Sequence, residues 1–200
     1  MSMRYTHPAL SRATIDQFLD TLSQFSPEYG RLYLAGEAAI VRLGLRSGKS
    51  TTIDLVVDAF DAGQMFQALQ RTMEMTRINV QLTSPEDHIP VPWNWDARAR
   101  YIGTYGALEA YYFDLPSEAL AKIVFSNQDD LNDVQLMIQH RIITLNEVDD
   151  TYLEVQPRMG KRPYEHIEPQ AFATHYAQIR KWLASSTRNT TSLQAEAMQW

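Results

Sequence analysis

Residues 44–57 read GLRSGKSTTIDLVV, and the fold turns on whether this string is a phosphate loop or a turn entering a strand. A Walker-type loop needs G-x-x-x-x-G-K-[ST], so that successive backbone N–H groups wrap the phosphates. Leu43 stands five positions before Gly48, and Gly44 is one residue too close. Such a loop also follows a strand and opens a helix, whose N-terminal dipole meets the anion. Here the order is reversed. Residues 37–45 suit a short helix, and Thr51 to Ala59 is β-branched and almost continuously apolar, the mark of a central strand. The string is therefore expected to be a turn, with Gly48 at positive φ and Lys49 in water.

The flanking segments extend this order. Ile15, Phe18, Leu19, Leu22 and Phe25 have the spacing of an amphipathic helix, stopped by Ser26-Pro27 and Gly30. Arg31–Ala35 reads as a buried strand that Gly36 ends. Residues 62–76 place Met65, Phe66, Leu69 and Met73 on one helical face, and residues 78–82 alternate as a strand. SPEDHIPVPWNW (84–95) is a stiff, irregular, proline-rich loop. Its Trp93 and Trp95 can stack on a base, but the commoner role of such residues is to close over a core edge, which is the expectation here. Residues 100–103 and 108–113 flank Tyr105-Gly106 as a hairpin. From Pro116 the pattern turns helical, with helices expected at 117–125, 129–139, 144–156 and 169–184. The fold class is α+β: a mixed sheet flanked by helices over residues 10–115, then a C-terminal helical part over 116–184. The polar residues 185–200 are expected to form a flexible tail.

Composition narrows the chemistry. The chain has 200 residues, 44% of them apolar, and no cysteine, so disulfides, thiolate catalysis and cysteine-zinc sites are excluded. A formal charge of −6 argues against broad nucleic-acid binding, while leaving room for one local basic groove. No apolar run nears the roughly 20 residues that span a bilayer, and MSMRYTHPALSRATID lacks the apolar core of a signal peptide. A cytoplasmic protein without membrane contact is the expectation. The histidines at 7, 88, 140, 166 and 175 form no i, i+4 pair, so no zinc site is expected.

The order of strand, glycine, short helix, basic turn and acidic strand resembles the nucleotidyltransferase fold. More closely, the chain is similar to a bacterial family of nucleotidyltransferase-like proteins related to abortive-infection toxins. The resemblance covers roughly residues 29–184 and rests on LYLAGEAAIVRLGLRS, STTIDLVVD, INVQLTSPEDHIPVP, ARYIGTYGALEAYYFDLPSEALAKI and DDLNDVQLMIQHRIIT. The most distinctive block is Lys122 followed by Asp130, Leu131, Asp133 and Val134. The resemblance implies a G-G or G-S pair after the first strand and a D-x-D on the second, with a third carboxylate on a later strand. It implies Mg2+ and an NTP as cofactors if the protein is active. Gly36 and Lys122 are then the nucleotide-binding residues, and Asp54 the catalytic metal ligand.

The departures fall on those positions. Gly36 is followed by Glu37, a bulky anion where triphosphate belongs. If Asp54 is the second aspartate of D-x-D, Thr52 replaces the first; if it is the first, Val56 replaces the second. Asp58 lies about 13 Å along the strand at ~3.3 Å per residue, too far to share a metal. Asn79 takes the place of the third carboxylate, with Glu86 or Asp87 as substitutes from the following loop. Asp130 and Asp133 share a helix face and are expected to hold a neighbouring basic side chain, with Asp129 or Asp130 as N-cap. The expectation is a catalytically degenerate member that senses a nucleotide or binds a protein partner. The alternative is an active metal-dependent enzyme that moves NMP from an NTP to a protein or RNA acceptor, in a toxin-antitoxin or phage-defence setting.

Overall fold

The computed structural model describes residues 9–26, 28–59 and 61–197, and the chain divides into two compact units. The first comprises Met1–Ser84 and Trp95–Asp114, the second Pro85–Asn94 and Leu115–Trp200. The proline-rich segment, expected within the α+β core, thus belongs mostly to the second unit.

In the first unit, α1 (Arg12–Phe25) starts at Ser11 with a capping box closed by Thr14. Then follow β1 (Gly30–Ala35), α2 (Gly36–Arg42), β2 (Thr52–Ala59), α3 (Ala62–Thr76), β3 (Asn79–Leu82), the single turn α4 (Trp95–Arg98), β4 (Arg100–Tyr105) and β5 (Leu108–Tyr112). The five strands form one mixed sheet in the order β3-β2-β1-β5-β4. β1 runs antiparallel to β2 and parallel to β5, β2 is parallel to β3, and β4 is antiparallel to β5.

The period of two separates the faces of this sheet. Leu32, Leu34, Ile53, Leu55, Leu108 and Ala110 fall in register on one face and are buried. Ile15, Phe18, Leu19 and Leu22 of α1 and Met65, Ala68 and Leu69 of α3 are buried as well, and the two helices pack together. A polar knot lies within this core. The Arg42 guanidinium donates to Asp16 Oδ1 (2.9 Å) and to the Tyr112 hydroxyl (2.8 Å), and the Tyr105 hydroxyl donates to the same Asp16 oxygen (3.1 Å). The other face carries Arg31, Tyr33, Glu109 and Tyr111 together with Thr52, Asp54 and Val56. Trp95 packs edge-on against Tyr33 and stacks on Phe113, closing a core edge as expected.

The second unit contains α5 (Leu115–Phe125), α6 (Gln128–Gln139), α7 (Leu145–Val155) and α8 (Pro169–Ala197). Every residue from Leu115 to Ile123 is buried, and α6, α7 and α8 all pack against α5. Such all-round burial marks a central helix. Asp149 ties α7 to α8 through a two-point pair with Arg180 (2.8 and 2.7 Å) and by accepting from the Tyr176 hydroxyl (2.8 Å). The helix expected to end at 184 continues to Ala197, so the segment taken for a tail is helical up to that residue. Ser and Thr lower helix propensity only by tenths of a kcal/mol each, and Leu193 and Ala195 to Ala197 are good helix formers. Residues 198–200 lie outside the described residues. No described helix is long and apolar enough to cross a membrane.

Candidate functional site

The end of β1 gathers the residues the sequence singled out in the first unit. Ala35 pairs with Asp54, so the chain leaves the sheet at Gly36 directly beside the Asp54 carboxylate. Gly36 has φ +55°, and a Cβ placed on it would lie 2.1 Å from Asp54 Oδ2. Only glycine provides both the left-handed backbone and the room for the carboxylate. Gly36 and Asp54 are therefore brought together.

The next residue decides the chemistry. Glu37 folds onto the turn of the 44–57 string. Its Oε1 accepts from the Lys49 N–H (2.5 Å) and from Arg46 Nη1 (2.7 Å), and its Oε2 accepts from the Ser50 N–H (3.1 Å). The turn is a small anion cradle with a tethered carboxylate in it. Burial raises the carboxyl's pKa, but the Arg46 guanidinium and the two backbone N–H groups outweigh burial and hold it below its ordinary value. The role of Gly48 also differs from expectation. Positive φ belongs to Gly44 (+77°), not to Gly48. Gly48 is needed for close approach: its N–H donates to Leu10 O (3.1 Å), and a Cβ would lie 2.4 Å from that oxygen. Leu10 in turn donates to Ser50 O, so the segment before α1 and the turn pair as short extended strands do. Nothing in the spacing of the string signals that pairing.

The carboxylates around Asp54 are sparse. Across β2 and β3, Asp54 pairs with Gln81 and Thr52 with Asn79, so both neighbours on β3 are amides. Glu86 and Asp87 fall in a one-turn 3-10 helix of the second unit. One further carboxylate, missed in the sequence, stands at this end of the sheet. The Phe113 N–H donates to Leu34 O, which carries the β1–β5 pairing one residue further and sets Asp114 at the level of Gly36. Asp114 is fully buried and accepts from Arg98 Nε at 3.0 Å. The available signal was position: an aspartate at the carboxyl end of an apolar strand, just before a Leu-Pro helix start. Magnesium sites use one or two carboxylates plus phosphate oxygens. Asp114 is engaged by a guanidinium, and among the described residues no group of three or more His, Asp or Glu side chains could hold a metal. Asp54 and Asp114 are the carboxylates set at this end of the sheet, and Asp114 is already taken by Arg98.

Lys122 lies in the other unit, on α5, and its surroundings are acidic. The ammonium donates to Asp130 Oδ1 (2.9 Å) and Asp133 Oδ2 (3.1 Å), with Glu118 Oε1 at 3.9 Å. Lys122 is 7% exposed and Asp133 1%. Burial alone would lower the lysine pKa, yet the carboxylates of Glu118, Asp133 and Asp130 raise it, so the group stays charged. The two aspartates hold a basic side chain as expected from their i, i+3 spacing. The N-cap of α6 is Asn127, not Asp129 or Asp130: its side chain accepts from the Asp130 N–H. Trp93 departs from expectation, being 84% exposed rather than closing a core edge.

No family model matches the chain, and neither a curated protein nor a solved structure is significantly similar to it.

Proposed function

We propose that this chain is a nucleotidyltransferase-like protein that binds, as a nucleotide sensor or partner-binding subunit, rather than transfers. The observation that carries this reading is the Glu37 carboxylate seated on Lys49 N–H, Ser50 N–H and the Arg46 guanidinium. A tethered carboxylate competes with any free phosphate at high effective concentration. Asp54 shares its face of β2 with Thr52, Val56 and the distant Asp58, so β2 itself sets no second carboxylate beside it. Lys122 is more than neutralised from within, by Asp130 and Asp133 with Glu118 close by. One observation favours the second reading, an active transferase: Asp54 still lies against Gly36, the juxtaposition such an enzyme needs.

One experiment separates the two. The protein is incubated with each labelled NTP, magnesium or manganese, and protein or RNA acceptors, with melting temperature followed in parallel. A nucleotide-dependent rise in melting temperature without label transfer is expected of a sensor, and neither of a purely partner-binding subunit. Label transfer that disappears in Asp54→Asn overturns the non-catalytic reading.

A further inference from the structure

Trp93 stands at a cleft of about 430 Å3 within the second unit, lined by Glu86, Arg158, Lys161, Arg162 and Tyr164 besides itself. The indole is a flat apolar surface held in place rather than loose. The Arg158 guanidinium lies over the ring at 4.6 Å from its centroid and also donates to Val91 O, two residues before the tryptophan. One ring face is thus backed by a cation, and 84% of the residue remains open to solvent. A single exposed tryptophan is ordinary on a protein surface; what sets this one apart is the guanidinium over its ring and the cleft beside it.

The same cleft carries charge. The cations Arg158, Lys161 and Arg162 fall within five residues of a chain whose formal charge is −6. The turn that bears them is stapled: the Gly160 N–H donates to Tyr164 O and the Tyr164 N–H to Lys161 O, while the buried Tyr164 donates its hydroxyl to Glu86 O. Gly160, at φ +72°, leaves no room for a Cβ against Pro169. Lys161 and Arg162 are therefore presented on a fixed loop, with Arg162 at 3.1 Å from Glu165. The acids nearby, Glu86, Asp87 and Glu165, equal these cations in number, so a bound phosphate competes with Glu165 for Arg162.

From the stacked indole and the fixed basic turn we infer that this cleft binds a nucleotide unit, its base on Trp93 and its phosphate at Lys161 and Arg162. A planar base suits a guanidinium-backed indole, and the volume lies in the range of small-ligand sites. An acidic peptide would use the cations and leave the indole idle. The unit can come from a free nucleotide or from a single-stranded nucleic acid. The inference does not depend on transferase chemistry in the first unit.

The test is fluorescence anisotropy of a 5′-labelled single-stranded RNA dodecamer at low salt, with unlabelled AMP, ATP, inorganic tripolyphosphate and a phosphopeptide as competitors. Trp93→Ala is expected to weaken binding about 5- to 150-fold, the range for losing one stacked base, and Trp93→Phe to restore most of it. Lys161→Ala with Arg162→Ala is expected to flatten the salt dependence by about 0.7 in log-log slope, the value for one lost phosphate contact on a single strand. Competition by AMP or ATP identifies a free nucleotide as the ligand; tight RNA binding without it identifies a nucleotide within a strand. The proposal is overturned if the wild type binds neither RNA nor nucleotide. It fails equally if Trp93→Ala, shown folded by circular dichroism, binds as the wild type does, or if tripolyphosphate or the phosphopeptide competes where AMP and ATP do not.

Discussion

Removing the Glu37 carboxylate tests the account of the 44–57 turn most directly. Three donors converge on it, at 2.5, 2.7 and 3.1 Å. Hydrogen bonds to a charged group contribute about 1.5–3 kcal/mol each when well buried. The side chains of Glu37 and Arg46 retain 16% and 21% exposure, so the ion pair itself is worth no more than about 1 kcal/mol. Water can also reach the Lys49 N–H once the carboxylate is gone, since Lys49 is exposed. The net cost of Glu37→Ala is then about 2 kcal/mol, or roughly 4–8 °C in melting temperature for a chain of this size. Glu37→Gln keeps the shape but turns an amide N–H2 toward a donor, so it should cost nearly as much.

The pH dependence follows from the lowered pKa. The folded carboxyl titrates below its ordinary 4.5, so its stabilisation is complete above that value and is lost as pH falls through the folded pKa. Denaturant unfolding of wild type, Glu37→Ala and Glu37→Gln should give a gap that is constant from pH 7 to 5 and closes toward pH 3. Amide exchange at Lys49 and Ser50 should accelerate in both variants at pH 7. A gap below about 0.5 kcal/mol at pH 7, or one that is flat down to pH 3, would refute the clamp.

Lys122→Ala strands Asp133 and Glu118 in a buried setting and should cost about 3–5 kcal/mol in denaturant unfolding, whereas Asp130→Asn, at a partly exposed partner, should cost about 1 kcal/mol. Gly36→Ala should cost about 2–3 kcal/mol through the clash with Asp54 and the left-handed φ. Adding Asp54→Ala should recover the clash part alone, so a double-mutant cycle by thermal unfolding should show coupling of about 1 kcal/mol or more.

Sequence pattern carried the elements well because burial enforces their periods. Leu32, Leu34, Ile53 and Leu55 alternate since one sheet face packs on α1 and α3, and the reversed helix-turn-strand order of residues 37–59 disposed of the phosphate-loop reading. The sequence singled out Gly36 and Asp54 one by one, but their juxtaposition comes from the β1–β2 register, which no local pattern encodes. What stayed hidden depends on contacts between segments far apart in the chain. Leu10 against Gly48, Arg98 with Asp114, and Arg158 beneath Trp93 leave no local period to read. Trp93 and Trp95 differ in fate by two positions, and only the packing of Trp95 between Tyr33 and Phe113 separates them.

The Glu37 clamp also explains why GKST looked like a phosphate loop at all. Gly44 and Gly48 make the turn tight, and Lys49 and Ser50 point their N–H groups at one anion, which are the properties a phosphate cradle needs. The chain supplies that anion itself, from the residue after Gly36. A small residue at that position would leave the same donors facing whatever anion the site admits. A single side chain therefore separates an anion-receptive turn from a self-satisfied one. Asp54 beside Gly36 is then equally consistent with structural support for the left-handed turn, and its carboxylate need not meet a metal to account for the glycine.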